Sequence, residues 1–247
     1  MRIISWNIRT GGGQRVKLIA RQICQWKADL VALSEFRATR FSQLLAGQLD
    51  AIGLNNQLTT ARMETPTVNS LLIASRFQLK QIRISPDLDS NERWLLTKVK
   101  SGHELTVGVM HVPNRASGLK YDFLDSIVNI ASKWNFGHGF LLGDTNSGIP
   151  ILDEENRVLN KREGGWFKSL ETEGWYDMFC YKYGDKKIFS WYSPNGDNGF
   201  RLDQVFANQE SLPYVKDIKY KWGKSSSAPD RRDALSDHAA IIVDYHI

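Results

Sequence analysis

The chain has 247 residues, of which 42% are hydrophobic and 24% are charged, and its formal net charge is +5. This composition excludes a disordered chain, because it supplies enough apolar side chains for a sizeable core. The small basic excess suits an anionic partner such as nucleic acid, although many ordinary soluble proteins share it.

Simple patterns exclude two further classes of protein. The two cysteines, Cys24 and Cys180, form neither a disulfide framework nor a zinc-binding spacing, and we expect Cys24 to be a small core residue of a helix. No apolar run approaches the length of a membrane span, and the first residues read as a strand instead of a leader. We therefore expect a cytoplasmic, monomeric protein without membrane insertion.

Strands and helices alternate in the first part of the chain. The sequence predicts strands at residues 2–6 and 30–34, and helices at residues 14–26 and around residues 41–49. Three successive glycines, residues 11–13, separate the first strand from the first helix.

A run of strands follows, and the alternation then returns. The first three of these strands are predicted at residues 70–75, 95–99 and 105–112, and short turns such as Ser101-Gly102 favour antiparallel pairing. Helices are predicted at residues 118–134 and 165–173, with a strand at 139–142 between them. The final predicted strands are residues 188–192, 201–207, 215–222 and 239–245. Sheets flanked by helices predict an α/β sandwich with a two-layered β core.

Short polar residues recur where the apolar strands end, which is where a rigid scaffold presents chemistry. These residues are Asn7, Glu35, His111, Asp144, Asn146, Asp237 and His238, and Asp203 lies in a later strand. Each has an ordinary structural alternative that stays open, such as a turn former, a cap, a core histidine or a local ion pair. The ion pairs to be weighed are Glu35 with Arg37 or Arg40, and Asp203 with Arg201.

As a set, these residue types are what phosphodiester hydrolysis requires. The anionic phosphate repels a hydroxide nucleophile, and a bound divalent cation such as Mg²⁺ (or Mn²⁺) offsets that charge. Hard cations take oxygen ligands, so Glu35 is the best direct ligand, with Asn7 and Asp237 assisting. The other predicted roles are orientation of the attacking water by Asp144, phosphoryl binding by the amides of Asn7 and Asn146, transition-state stabilisation by His238 and His111, and control of a histidine tautomer by Asp203.

Six motifs in the same chain resemble the endonuclease/exonuclease/phosphatase superfamily, which includes deoxyribonuclease I, exonuclease III and the abasic-site endonucleases. The motifs are SWNIR at 5–9, SEF at 34–36, HVPN at 111–114, GDTNS at 143–147, FRLDQVF at 200–206 and LSDHA at 235–239. The resemblance implies one domain, residues 1–247, folded as a four-layered α/β/β/α sandwich with a metal site at one edge of two packed mixed sheets.

The resemblance also implies a role for each motif residue. Glu35 would be the main metal ligand, and Asp237 a carboxylate on the metal side, with Asn7 completing the shell. The implied catalytic residues are His111, Asp144, Asn146, Asp203 and His238, of which Asp203 would orient His238. Arg9, Asn114 and Trp191 are predicted to contact substrate.

The chain departs from single branches of the superfamily. Arg9 stands where the abasic-site enzymes carry a carboxylate, and His111 where they carry a tyrosine; both resemble deoxyribonuclease I. In that enzyme the histidine pairs with a glutamate, and in this chain Asn69 aligns with the position of that glutamate. Pro113 and Asn114 resemble the abasic-site enzymes instead, and GDTN resembles the tyrosyl-DNA phosphodiesterases.

Basic loops with interleaved aromatic residues predict nucleic acid as the substrate. The basic loops are residues 37–40, 161–162, 182–187 and 221–232, and the aromatics are Phe41, Trp166, Phe167, Tyr183, Trp191, Tyr192 and Trp222. The alternative is that the charges are solvated and the aromatics are core. We expect residues 224–232 to form a mobile loop that selects substrate. Other phosphoesters remain open, namely a lipid, inositol phosphate, nucleotide or protein–DNA adduct, as does a non-catalytic binding protein.

Overall fold

The computed structural model describes residues 1–84, 91–195, 197–224 and 235–246. Its strands are β1 (Arg2–Asn7), β2 (Leu30–Phe36), β3 (Asn56–Thr59), β4 (Ser70–Ser75), β5 (Gln78–Ile82), β6 (Trp94–Lys100), β7 (Glu104–His111), β8 (His138–Asp144), β9 (Trp175–Asp177), β10 (Trp191–Tyr192), β11 (Gly199–Phe200), β12 (Asp203–Asn208), β13 (Val215–Lys221) and β14 (Ala240–Tyr245). Its helices are α1 (Val16–Gln25), α2 (Arg40–Ala51), α3 (Lys120–Lys133), α4 (Lys161–Thr172) and α5 (Met178–Tyr183). Short 3₁₀ turns lie at Gly13–Arg15, Asn91–Arg93, Arg115–Ser117 and Leu212–Tyr214.

Two six-stranded mixed sheets form the centre of the fold. The first has the strand order β13-β14-β1-β2-β4-β3, and the second has the order β5-β6-β7-β8-β12-β9. Each contains one parallel pair, β1 with β2 and β7 with β8, among antiparallel ones. Strands β10 and β11 form a separate two-stranded ribbon.

Three apolar layers hold the sheets and helices together. The middle layer lies between the sheets and includes Ile73 from the first and Val107 from the second. The outer face of the first sheet is covered by α1 and α2, and that of the second by α3 and α4. The predicted sandwich of two packed mixed sheets flanked by helices is therefore confirmed.

The helix boundaries follow from periodicity and capping. Helix α1 buries Val16, Ile19, Ala20 and Ile23, the residues whose spacing predicted it. Helix α4 begins at Lys161, earlier than the predicted residue 165, because Asn160 and Glu163 form a capping box. Because Gly164 and Gly165 have low helix propensity, the sequence predicted the start of the helix too late.

Several expectations were wrong in detail. Cys24 is exposed, because it falls on the outer face of α1 and not among the core residues of that helix. The segment at residues 188–192 contributes only the two-residue strand β10. Strand β4 does not join the antiparallel run that follows it, since it pairs with β2 and β3 in the other sheet. Most of the loop expected at residues 224–232 lies outside the described residues.

Within the described parts of the chain, no helix is long and apolar enough to cross a membrane.

Candidate active site

Neighbouring strands of the second sheet end together at one edge. In register, His111 of β7 lies beside Asp144 of β8, and Asp144 lies beside Asp203 of β12. Gly143, just before Asp144, has φ 141°, and a Cβ there would stand 1.9 Å from the carbonyl oxygen of Met110. Only glycine therefore allows β7 and β8 to approach closely enough to bring these side chains together.

The first sheet delivers two more predicted residues to the same edge. Asn7 ends β1, and Glu35 sits in β2 where the pairing with β4 shifts register. Glu35 has φ 57°, a left-handed conformation that non-glycine residues adopt at an energetic cost. The irregularity redirects Glu35, whose carboxylate accepts hydrogen bonds from Asn7 Nδ2 (3.2 Å) and from the backbone N–H of Thr10 (2.6 Å).

Asp144 lies at the centre of the candidate site and is 2% exposed. Its Oδ2 accepts from Asn7 Nδ2 at 2.9 Å, and its Oδ1 accepts from the backbone N–H of Asn146 at 2.9 Å. Burial raises the pKa of Asp144, while the nearby His238 opposes that rise. Asp144 is thus a buried carboxylate held in one orientation by an amide of the first sheet and a backbone N–H of the loop that follows β8.

His238 lies between two carboxylates. Its Nδ1 is 2.9 Å from Asp203 Oδ2, and its Nε2 is 3.9 Å from Asp144 Oδ2. Burial alone would lower the pKa of His238, but the charges of Asp203 and Asp144 outweigh burial and raise the pKa to about 10. At neutral pH the ring is a cation that donates from Nδ1 to Asp203.

His111 has a different environment, although it faces the same carboxylate. Its Nε2 is 3.7 Å from Asp144 Oδ2, and its Nδ1 is 3.3 Å from the guanidinium of Arg93. Asn69 also borders this space, but its Oδ1 accepts from Arg37 Nε at 2.7 Å. Burial is the main cause of a fall in the pKa of His111 to about 4; Arg93 and His238 also lower it, and Asp144 opposes them.

These residues surround an open cavity of about 360 Å³. The carboxylates of Glu35 and Asp237 line it together with Asp144, as do Asn114 and Trp191. The Trp191 ring centroid is 6.3 Å from that of His238. Arg9 Nε lies 3.9 Å from Asp237 Oδ2, and the Arg9 side chain is 59% exposed. The structure thus brings all eleven predicted site residues to one region.

Two groups of side chains could hold a cation. Among the described residues, ligand atoms of Asp144, Asp203 and His238 lie within 4.8 Å of one another. That group is already an internally bonded acid–histidine network, and its histidine is cationic, so a metal ion would have to displace a proton. The partly exposed carboxylates of Glu35 and Asp237 are the better hard-oxygen donors.

The orientation of Asn7 bears on its predicted place in a metal shell. Its Oδ1 accepts from the backbone N–H of Arg9 at 2.9 Å, so its amide nitrogen is directed at Glu35 and Asp144. In this arrangement Asn7 links the two carboxylates as a donor, and its role as an oxygen ligand stays a prediction.

The structure decides two of the open alternatives in opposite directions. Arg201 binds Asp153 and Asp177 at 2.7 Å each, so the local ion pair with Asp203 is not formed. Two of the aromatic residues expected near nucleic acid, Trp166 and Phe167, belong instead to the core under α4, as the alternative reading had it.

Three supporting residues were not predicted, and two of them carry no mark in their local sequence. Ser190 Oγ accepts from the backbone N–H groups of Leu202 and Asp203, and Ser236 Oγ donates to the carbonyl of Asn7 at 2.6 Å. Arg93 follows residues of no distinctive pattern. Only Ser236 had a signal, since it precedes Asp237 in the SDH motif.

Comparison with known proteins places this geometry in context. Solved structures with a similar fold include an AP endonuclease from Archaeoglobus fulgidus (TM-score 0.83, 14% identity) and a 3' phosphatase, NExo, from Neisseria bound to product DNA hairpin (TM-score 0.81, 16% identity). A third is the 3'-5' exonuclease NExo from Neisseria meningitidis (TM-score 0.78, 19% identity). Each alignment covers 100% of both chains. No curated protein sequence matches significantly. The model of the endonuclease/exonuclease/phosphatase family matches residues 4–238, and the chain belongs to that family.

Proposed function

We propose that this protein is a divalent-metal-dependent phosphodiester hydrolase that acts on nucleic acid. The observation that carries the proposal is the buried Asp144, which accepts hydrogen bonds from Asn7 and from the backbone of Asn146. Its carboxylate lies 3.9 Å from His238, at an open cavity that two further carboxylates line. A general base and a positive charge that can stabilise the transition state thereby lie beside each other and can act on the same phosphate group.

The donor set of the cavity fits a hard divalent cation. Glu35 and Asp237 would hold the ion with oxygen atoms, and Asn7 would keep Glu35 in place. When bound, Mg²⁺ or Mn²⁺ supplies charge neutralisation at the phosphate.

The side chains divide the remaining work. Asp144 accepts a proton from the attacking water, because its raised pKa makes it a stronger base than an exposed carboxylate. His238, oriented by Asp203, stabilises the negative charge that develops on the phosphoryl oxygens. Asn146 has φ 46° and lines the cavity, and its side-chain amide donates one N–H to the carbonyl of Val112 at 2.8 Å. The second N–H of that amide would donate to a phosphoryl oxygen of the substrate.

Three features support nucleic acid as the substrate class. The net charge is +5, Trp191 lines the cavity, and the exposed Arg9 contacts the cavity residue Asp237. One of the structural neighbours was determined with a DNA hairpin. A guanidinium and an indole would contact a phosphate and a base or sugar, respectively.

A substrate panel tests the activity. Single- and double-stranded DNA, duplex DNA with an abasic site, RNA and a small aryl phosphodiester would be incubated with Mg²⁺ or Mn²⁺, each with and without chelator. We expect nucleic acid to be cleaved only when metal is present. Cleavage of the small phosphodiester alone would refute the substrate class, and full activity in chelator would refute the metal requirement.

Two variants test the assignment of roles. Asp144→Asn should lower kcat on the order of 10²–10⁴-fold while circular dichroism stays unchanged, whereas Asp122→Asn on the exposed face of α3 should have no effect. Glu35→Gln should abolish most of the heat of Mn²⁺ binding in calorimetry. Wild-type turnover by Asp144→Asn, or an unchanged binding heat in Glu35→Gln, would contradict the respective role.

A further inference from the structure

Arg93 is placed against His111 by the pairing of two strands. Trp94 and Met110 are partners in the antiparallel pair β6 and β7, so Arg93 and His111 are the next residues outward at the edge that carries the site. Nη1 of Arg93 is 3.3 Å from His111 Nδ1 and 3.3 Å from the His111 carbonyl oxygen. The guanidinium therefore contacts both the ring and the backbone of the last residue of β7.

The chemistry of arginine determines the direction of this hydrogen bond. A guanidinium has five N–H donors, no acceptor, and does not lose its proton in proteins. His111 Nδ1 must then be the acceptor, with a free lone pair, and the proton of a neutral ring must be on Nε2. That atom is on the side of Asp144, at 3.7 Å from Oδ2.

The charged groups around His111 favour an uncharged ring. Arg93 is at its Nδ1, and His238 approaches the same Asp144 oxygen at 3.9 Å. Asp144 is the one carboxylate among the described groups that interact with His111, and its charge is shared with both histidines. The His111 side chain is 6% exposed, and with burial as the main cause its pKa falls to about 4.

We propose that Arg93 is a positioning residue that fixes His111 as the neutral tautomer protonated on Nε2, so that His111 donates a hydrogen bond to the substrate phosphoryl group and transfers no proton. This inference rests on the proposed function and extends it to the division of labour between the two histidines. The two rings differ in what faces their Nδ1 atom: a carboxylate of Asp203 for His238, and the guanidinium of Arg93 for His111.

Nuclear magnetic resonance of the metal-free chain tests the tautomer without any activity. Long-range ¹H–¹⁵N spectra distinguish Nδ1–H, Nε2–H and doubly protonated rings, and the chain has only five histidines. The His111 signals are those lost in His111→Gln. We expect the Nε2–H pattern from pH 8 to pH 5. An Nδ1–H pattern, or protonation of His111 near pH 6.5, would overturn the proposal.

Variants of Arg93 test the cause. Arg93→Glu replaces a donor with an acceptor, so Nδ1 should become protonated and the ring should titrate at a higher pH than in the wild type. Arg83→Glu, at an exposed arginine just after β5, makes the same charge change and should leave the His111 spectrum unchanged. An unchanged tautomer in Arg93→Glu would refute the role of Arg93.

Kinetics test the role of Nε2–H. His111→Ala should lower kcat on the order of 10²-fold, the typical loss for a donor to a developing oxyanion, and His111→Gln should recover part of it because its amide can donate. The pH profile of the wild-type kcat should contain no limb that disappears in the His111→Gln variant. Equal loss in both variants together with such a limb would identify His111 as a proton donor and overturn the proposal. A chain without any turnover would refute the proposed function while leaving the tautomer result intact.

Discussion

Glu163 connects the packing of two helices to the candidate site. Its carboxylate, fully buried at the start of α4, accepts hydrogen bonds from Arg115 and from Lys120, a residue of α3. Lys120 Nζ in turn donates to the backbone carbonyl of Asn146. Removal of the Glu163 charge should therefore affect both stability and the loop that follows Asp144.

The substitution Glu163→Gln isolates that charge. Glutamine has the same shape and still suits the third position of a capping box, so the cap with Asn160 is kept. The Lys120 side chain is 3% exposed and would lose its carboxylate partner. Breaking a buried ion pair in this way typically costs about 3–5 kcal/mol. For a chain of this size the melting temperature should fall by roughly 10 °C.

Urea unfolding followed by tryptophan fluorescence measures the loss. The double variant Glu163→Gln/Lys120→Met removes both charges and should recover part of the stability lost in Glu163→Gln, because no uncompensated ammonium remains. Glu171→Gln, at an exposed position of the same helix, is the matched control and should change the unfolding free energy by less than about 0.5 kcal/mol. Wild-type stability in Glu163→Gln would refute this account.

The pH dependence gives an independent check on the same cluster. Burial opposes ionisation of Glu163, but hydrogen bonds from Arg115 and Lys120 outweigh it and hold the pKa below its ordinary value of 4.5. A lowered folded-state pKa contributes stability above pH 4.5 that is lost as the pH falls through the folded value. The difference in unfolding free energy between wild type and Glu163→Gln should therefore narrow below about pH 4.

Two further substitutions probe the strand ends. Gly143→Ala should destabilise the chain by more than about 2 kcal/mol in urea unfolding, because its Cβ would meet the Met110 carbonyl. Gly165→Ala, with nothing within 4 Å of the added Cβ, should instead stabilise the chain by about 0.5–1 kcal/mol. Equal effects of the two substitutions would contradict the steric argument. Asp203→Asn should lower kcat on the order of 10²–10⁴-fold with circular dichroism unchanged, because His238 loses its oriented charge partner, and a loss below tenfold would disprove that role.

The sequence predicted the scaffold well where side-chain periodicity is strong. Helix α1 and strands β2, β4 and β8 carry continuous or regularly spaced apolar residues, and each was predicted within a few positions. Strand β5 and the edge strand β3 were missed because none of their residues is fully buried, so their sequences lack a strong apolar pattern.

The sequence also predicted which residues form the candidate site, but it did not predict which hydrogen-bond and ion-pair partners they take. Residue types at strand ends identify which groups meet, since strand ends of one sheet converge. Which partner each group takes depends on register and on residues far away in the chain. Arg93 reaches His111 only because β6 pairs with β7 in one register, and the expected partner Asn69 is taken by Arg37. Arg201, adjacent in sequence to the Asp203 strand, is neutralised by two distant carboxylates.

The position of β14 affects when the site can assemble. This strand lies between β13 and β1, and the segment just before it carries Asp237 and His238. Strand β1 is synthesised before β14 and therefore has no partner on that side until residues about 240 positions later have emerged from the ribosome. Until then the chain lacks both His238, which lies beside Asp144, and Asp237, one of the carboxylates that line the cavity. During biosynthesis, completion of the first sheet and acquisition of a competent site would thus be a single late event.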